Sequence, residues 1–123
     1  MKPTVYFIDS DRDNLEMMKY VLENEGFNVT TSLSFEESRL AVLEDNFGAV
    51  ILDNHIKSLE SVEICRKIRS VNKTMPIIFY SAEPEQTGIQ KLKDAEANAY
   101  VLKPYFGKLI EKVVELIQLN QVN

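Results

Sequence analysis

Four short apolar runs in this chain each end on a side chain that can handle charge. Val5-Tyr6-Phe7-Ile8 is followed by Asp9, Ala49-Val50-Ile51-Leu52 by Asp53, Ile77-Ile78-Phe79-Tyr80 by Ser81, and Ala99-Tyr100-Val101-Leu102 by Lys103. In an open parallel sheet, ligands bind in the crevice outside the carboxyl ends of the strands. If the four runs are such strands, two carboxylates, a hydroxyl and an ammonium share one pocket. Two carboxylates about 4 Å apart repel by roughly 4 kcal/mol at an effective dielectric of about 20, a large part of a small domain's stability. A cation is therefore needed. Lys103 supplies one positive charge, and a hard divalent ion such as Mg²⁺, which prefers oxygen ligands, supplies the rest. Such a pocket attracts phosphate. A carboxylate held there can act as a nucleophile and accept a phosphoryl group as an acyl phosphate, with Ser81 donating a hydrogen bond to the new oxygens.

The elements that must position these residues alternate along the chain. Leu15, Met18, Val21 and Leu22 carry helical spacing, and Glu25-Gly26 supplies a stop. Phe27 to Thr31 then reads as a strand. Ser34 with Glu37 forms a capping box ahead of a second helix with Phe35, Leu40 and Leu43 on one face, ending near Asn46. Leu59, Ile64, Cys65, Ile68 and Val71 mark a third helix; Ile89, Leu92 and Ala95 a fourth; Phe106, Leu109, Ile110, Val113 and Ile117 a fifth. Five strands alternating with five helices predict an α/β fold, a three-layer, doubly wound sandwich around a parallel sheet. The strand at 27–31 alternates in polarity and belongs at an edge, whereas the other four runs are continuously apolar, as strands covered on both faces are. An order of 2-1-3-4-5 meets this requirement and sets Asp9 beside Asp53 at the switch point.

Bulk properties narrow the function classes. A chain of 123 residues fits one domain, spanning 1–123. The net charge of −5 argues against a nucleic-acid surface, whose footprint is basic. The single Cys65 excludes an internal disulfide and, on an apolar helical face, reads as a core residue. No apolar stretch is long enough to cross a membrane, and Met1-Lys2-Pro3-Thr4 leads into a strand without a signal-peptide core, so a cytoplasmic location is expected.

Taken in order, these residues resemble the receiver domains of two-component response regulators, and the resemblance spans nearly the whole chain. Asp9 is similar to the first residue of the family's acidic pair, Asp53 to its phosphoacceptor, Ser81 to its hydroxyl residue, with Ala82 the small residue after it. Lys103-Pro104 is similar to its lysine-proline pair, and Tyr100 to its switch aromatic. The resemblance implies a domain that takes a phosphoryl group from a sensor histidine kinase or phosphotransfer protein onto Asp53. The expected metal ligands are Asp9, Asp53 and the main-chain carbonyl of His55 around Mg²⁺. It implies a switch rather than a turnover enzyme: Ser81 and Tyr100 respond to the phosphoryl group and alter the face made by the fourth helix, fifth strand and fifth helix, where a downstream protein or output domain binds. It also implies a cis Lys103-Pro104 bond. The side chains of His55 and Glu83 would flank the phosphoryl group. Dimerisation through the fifth helix is compatible with the sequence but not required by it.

Departures from the family pattern fall at the metal site and in the loops. Ser10 stands where the second acidic residue, a direct metal ligand, is expected, with Asp11 one position later. Weakened Mg²⁺ binding is expected, with Asp11 as a substitute ligand; the competing role for Asp11 is a helix N-cap. Lys57 replaces a proline after the acceptor strand, and Ser61 and Glu96 stand where the family often has glycine. A degenerate receiver that binds partners without a phosphate cycle is therefore the main alternative. Asp9-Ser10-Asp11-Arg12-Asp13 fails as an EF-hand, whose glycine would fall at Asn14 and glutamate at Tyr20. The same run also resembles haloacid-dehalogenase-type phosphatases, with Asp9 as nucleophile and Asp11 as acid/base. Asp13 departs from that pattern, and the chain is short for it.

Overall fold

The computed structural model describes residues 3–35, 47–53, 55–56 and 59–122. Five parallel strands form one sheet: β1 (Thr4–Ile8), β2 (Asn28–Ser32), β3 (Ala49–Leu52), β4 (Ile77–Ser81) and β5 (Ala99–Leu102). Their order is β2-β1-β3-β4-β5, as the alternation of elements predicts. A two-residue antiparallel ladder pairs His55–Ile56 with Leu59–Glu60 just beyond β3. Four helices lie among the described residues: α1 (Arg12–Asn24), α2 (Ser61–Val71), α3 (Glu85–Ala95) and α4 (Phe106–Val122). Phe35 is buried, but the remainder of the helix expected between it and Asn46 lies outside the described residues.

Successive strand residues point to opposite faces, and the core divides accordingly into two layers. Val5, Phe7, Ala49, Ile51, Ile78, Tyr80 and Val101 pack against Leu15, Met18 and Leu22 of α1 and Leu109, Val113 and Ile117 of α4. Tyr6, Ile8, Val50, Leu52, Ile77 and Phe79 pack against Ile64, Cys65 and Ile68 of α2 and Ala95 of α3. Cys65 is the core residue its position suggested: burial pushes its thiol up to about 11, and Sγ lies 3.3 Å from the Ala95 carbonyl.

Several boundaries shift for physical reasons. The second strand runs 28–32, and Gly26, at φ +95°, turns the chain out of α1 in a conformation that other residues resist. Leu59 belongs to the small ladder, with α2 starting at Ser61, and Val71 is 61 % exposed at the helix end. β5 is not covered on both faces like β1, β3 and β4. It is the second edge strand, so Tyr100 and Leu102 stay only half-buried.

Candidate functional site

Register places the two acids side by side. Ile8 of β1 pairs with Leu52 of β3, so Asp9 and Asp53 follow adjacent strand ends, and the Asp53 amide donates to the Ile8 carbonyl at 3.1 Å. On the far side of β4, the Lys103 amide donates to the Ser81 carbonyl at 2.8 Å, which directs the Lys103 side chain back across the sheet edge. Its Nζ reaches Asp9 Oδ2 and Asp53 Oδ1, both at 2.9 Å. The ammonium also lies 5.5 Å from the centroid of the Tyr80 ring.

The two carboxylates differ in access. Asp9 is 1 % exposed, and both of its oxygens accept hydrogen bonds: Oδ1 from the Asp11 amide at 2.9 Å, and Oδ2 from Lys103 and from the Asn14 side-chain amide at 3.2 Å. Asp53 is more open, at 17 % of its side chain. Burial pulls the Lys103 ammonium down, but hydrogen bonds and charge from Asp9 and Asp53 outweigh it and hold the group above its ordinary value. Lys103 is therefore charged at neutral pH. With both acids ionised the trio carries one net negative charge.

The remaining predicted residues take varied places. Ser81 is buried, and its Oγ accepts the Glu83 amide at 3.1 Å; the N-cap of α3 is Pro84, so Ser81 closes a turn rather than capping the helix. Tyr100 is turned inward: its hydroxyl donates to the Glu83 carbonyl and lies 3.4 Å from the Ser81 carbonyl. Burial raises the phenol above its usual value, the Glu83 charge adds to this, and a hydrogen bond with Ser81 opposes it. The Glu83 carboxylate itself pairs with Lys91 of α3. Asp11 is exposed and caps α1, accepting from the amides of Asp13 at 2.9 Å and Asn14 at 3.4 Å. Ser10 is exposed. His55 enters the small ladder opposite Glu60, while its side chain and Lys57 lie outside the described residues. Ser61 is buried at the start of α2, and Glu96 takes φ +61°, the left-handed conformation that favours glycine. The Lys103–Pro104 bond is cis.

Sequence reasoning missed Asn14, whose amide helps hold Asp9. Asn14 lies five positions after Asp9, across a turn and into the first turn of α1. A polar residue at that place in an amphipathic helix was the only signal.

A divalent ion fits the chemistry of this donor set, though sparsely. Asp9 and Asp53 offer hard oxygens, and a site short of charge by one cation suits Mg²⁺ with several of its own waters. Ser10 brings no carboxylate, and Asp11 is engaged at the helix cap. No group of three His, Cys, Asp or Glu side chains suited to a metal occurs among the described residues. No helix among them is long and apolar enough to cross a membrane.

The sheet order and the carboxylate–ammonium trio at the β1/β3 switch point define a doubly wound α/β protein with a charged crevice. The sequence profile of the response regulator receiver domain matches residues 5–115, and the chain belongs to that family. Receiver domains are signalling domains of two-component systems, and Mg²⁺ and phosphorylation are typical of them. Among curated proteins, the transcriptional regulatory protein SrrA of Staphylococcus aureus is 24 % identical over 122 residues, which are 98 % of this chain and 50 % of that protein. The chain thus spans about half the length of the curated relatives it matches. A CheY-like response regulator receiver domain protein from Methanospirillum hungatei superposes with a TM-score of 0.90 at 22 % identity, over 98 % of both chains. The receiver domain of a sensor histidine kinase from Pseudomonas aeruginosa, solved with a magnesium ion coordinated in its active site cleft, gives 0.85 at 19 % identity, over 96 % of this chain and 99 % of that one. At these identities the structural likeness concerns the fold.

Proposed function

We propose that this chain is a single receiver domain that accepts a phosphoryl group on Asp53 from the phosphohistidine of a sensor kinase or phosphotransfer protein. The observation that carries this reading is the Lys103 ammonium bridging Asp9 and Asp53 at equal distances of 2.9 Å. Asp53 is the acceptor because it is the more accessible acid, whereas Asp9 is enclosed and bonded through both oxygens. In the transfer an Asp53 oxygen attacks phosphorus, the phosphorus–nitrogen bond breaks, and the donor imidazole leaves with its electron pair. Lys103 offsets the charge that builds up, and the Ser81 hydroxyl turns toward the phosphoryl oxygens. Mg²⁺, when held by Asp9, Asp53 and the His55 carbonyl, supplies further positive charge to the same oxygens.

The added charge, about −1.5 to −2 near neutral pH, draws Ser81 and Lys103 toward the phosphoryl group and, through Glu83, favours the inward place that Tyr100 already takes. The affected face is formed by α3, β5 and α4. A groove of about 380 Å³ lies there, lined by Glu85, Tyr100, Tyr105, Lys108 and Lys112 among others. A downstream protein or an output domain is the expected partner, in the cytoplasm. Only slow self-dephosphorylation is expected as catalysis.

A small phosphodonor with Mg²⁺ tests this reading. The expected result is a mass gain of about 80 Da, one phosphoryl group, in the intact protein and none in Asp53→Asn. Absence of the adduct at every Mg²⁺ concentration would favour the second reading, a module that binds its partner without a phosphate cycle. That reading draws on Ser10, which leaves the metal one carboxylate short, and on the capping role of Asp11. Ser10→Asp should lower the Mg²⁺ concentration needed for half-maximal phosphorylation by about tenfold or more, on the scale of a gained metal contact.

A further inference from the structure

Gly88 is buried at the end of the first turn of α3, a helix of eleven residues, and its amide donates to the Pro84 carbonyl at 3.0 Å. Its φ is not positive, so the backbone there does not require glycine. Helix interiors also disfavour glycine relative to alanine, because glycine loses more freedom on folding. The reason for glycine is space. A Cβ built at position 88 would overlap the Tyr100 ring at three of its carbons, well inside van der Waals contact. The overlapping atoms are not a flexible chain end but one edge of a rigid ring.

Tyr100 is held in that slot at its far end as well. Its hydroxyl donates to the Glu83 carbonyl, while the Glu83 amide donates to Ser81 Oγ. A single residue, Glu83, therefore joins the hydroxyl residue of the pocket to the aromatic ring on β5. The Glu83–Lys91 ion pair ties the same turn to α3 three residues beyond Gly88. Ring, turn and helix interlock, and the missing side chain at 88 is what lets them close.

We propose that Gly88 is a positioning residue for Tyr100: the empty space above its Cα sets how fully the ring occupies the inward place, and through Glu83 it sets how Ser81 is held. This rests on the reading above only in treating Tyr100 as the switch. Any side chain at 88 drives the ring outward toward the groove between α3, β5 and α4 and releases the Glu83 carbonyl. By linkage, a change that disfavours inward Tyr100 also disfavours whatever ligand or modification favours it.

The five tyrosines provide internal standards for the test: Tyr6 and Tyr80 are buried, Tyr20 and Tyr105 are exposed. Aromatic NMR of ¹³C-tyrosine-labelled protein with a soluble gadolinium chelate reads the access of each ring, with Tyr100→Phe assigning the Tyr100 signals. In the parent protein the Tyr100 broadening should fall between the two classes; in Gly88→Ala it should rise to that of Tyr20. Gly88→Ala in a Tyr100→Ala background should melt higher than Tyr100→Ala alone, because helix preference alone then operates. That pair keeps the idea testable if Gly88→Ala folds poorly by itself. Unchanged Tyr100 access in Gly88→Ala, or a destabilising Gly88→Ala in the Tyr100→Ala background, would overturn the proposal. Intact mass after phosphodonor treatment of the same samples reads the Asp53 reaction separately, so a missing adduct bears on the proposed function and not on the Gly88 slot.

Discussion

Two cations are taken out of bulk water at opposite ends of β4 and β5, and their partners differ in kind. Arg69 of α2, 5 % exposed, lies at the amino ends of these strands. Its Nε donates to the Glu96 carbonyl at 2.8 Å, Nη1 to the Asn72 carbonyl at 3.2 Å, and Nη2 to Asn98 Oδ1 at 2.8 Å. Asn98 Oδ1 also receives the Ile77 amide at 2.8 Å, so the guanidinium stitches α2 to the starts of both strands. Lys103 lies at the carboxyl ends and faces two carboxylates. Neutral main-chain and amide acceptors cannot take another cation or a covalent group without the fold changing. Carboxylates can. The Arg69 end is built to stay as it is, and the Lys103 end to be rearranged.

The largest effect should come from removing the fixed cation. Arg69→Met removes the guanidinium bonds to the Glu96 and Asn72 carbonyls and to Asn98 Oδ1, and frees Glu96 from the clamp that holds it in a left-handed conformation. Urea unfolding should show a loss of about 3 kcal/mol, the sum expected for charged hydrogen bonds. Phosphorylation of Asp53 in the folded fraction should be unaffected. A loss below about 1 kcal/mol would mean that water or a neighbour replaces the guanidinium with ease, and the contrast between the two ends would fail.

Lys103→Met should cost less, about 2 kcal/mol near pH 7, because this site is partly open to solvent and water can screen the stranded acids. Denaturant midpoints of both variants against the parent at pH 7 check this ranking. A loss in Lys103→Met equal to or larger than that in Arg69→Met would overturn it.

The sequence disclosed these two ends unequally. Asp9, Asp53, Ser81 and Lys103 stand out because each is a polar residue closing a buried apolar run, and strand order alone then brings them to one edge. Arg69 gives no such sign. It falls among Arg66, Lys67 and Ser70 on a helix whose polar face looks solvated, and only the return of the chain at 96–98 supplies its acceptors. Tyr100 was legible as an aromatic able to turn in or out, but its partner is a main-chain carbonyl, which side-chain types cannot reveal. Gly88 was invisible for the same reason: the feature is a volume left empty for a ring twelve residues away. Val71 and Phe106 carry helical spacing and yet lie exposed, because they occupy helix ends where the sheet no longer covers them.

The smallest expected effect is alkaline, and it again singles out the rearrangeable end. Lys103 has a folded value above its unfolded one of about 10.4, so its stabilisation is complete below that pH and is lost as pH climbs through the folded value. Tyr80 and Tyr100, both raised mainly by burial, act in the same direction, since the unfolded phenols ionise first. Stability should therefore fall above about pH 10, by at most about 1.4 kcal/mol per pH unit for each proton involved. Guanidinium groups do not titrate in this range, so an arginine variant serves as the control. Melting temperatures between pH 9 and 11 should drop less steeply in Lys103→Met than in the parent, and equally steeply in Arg69→Met. Equal slopes in the parent and Lys103→Met would assign the alkaline loss to the phenols alone and would mean that the two carboxylates do not hold the Lys103 proton.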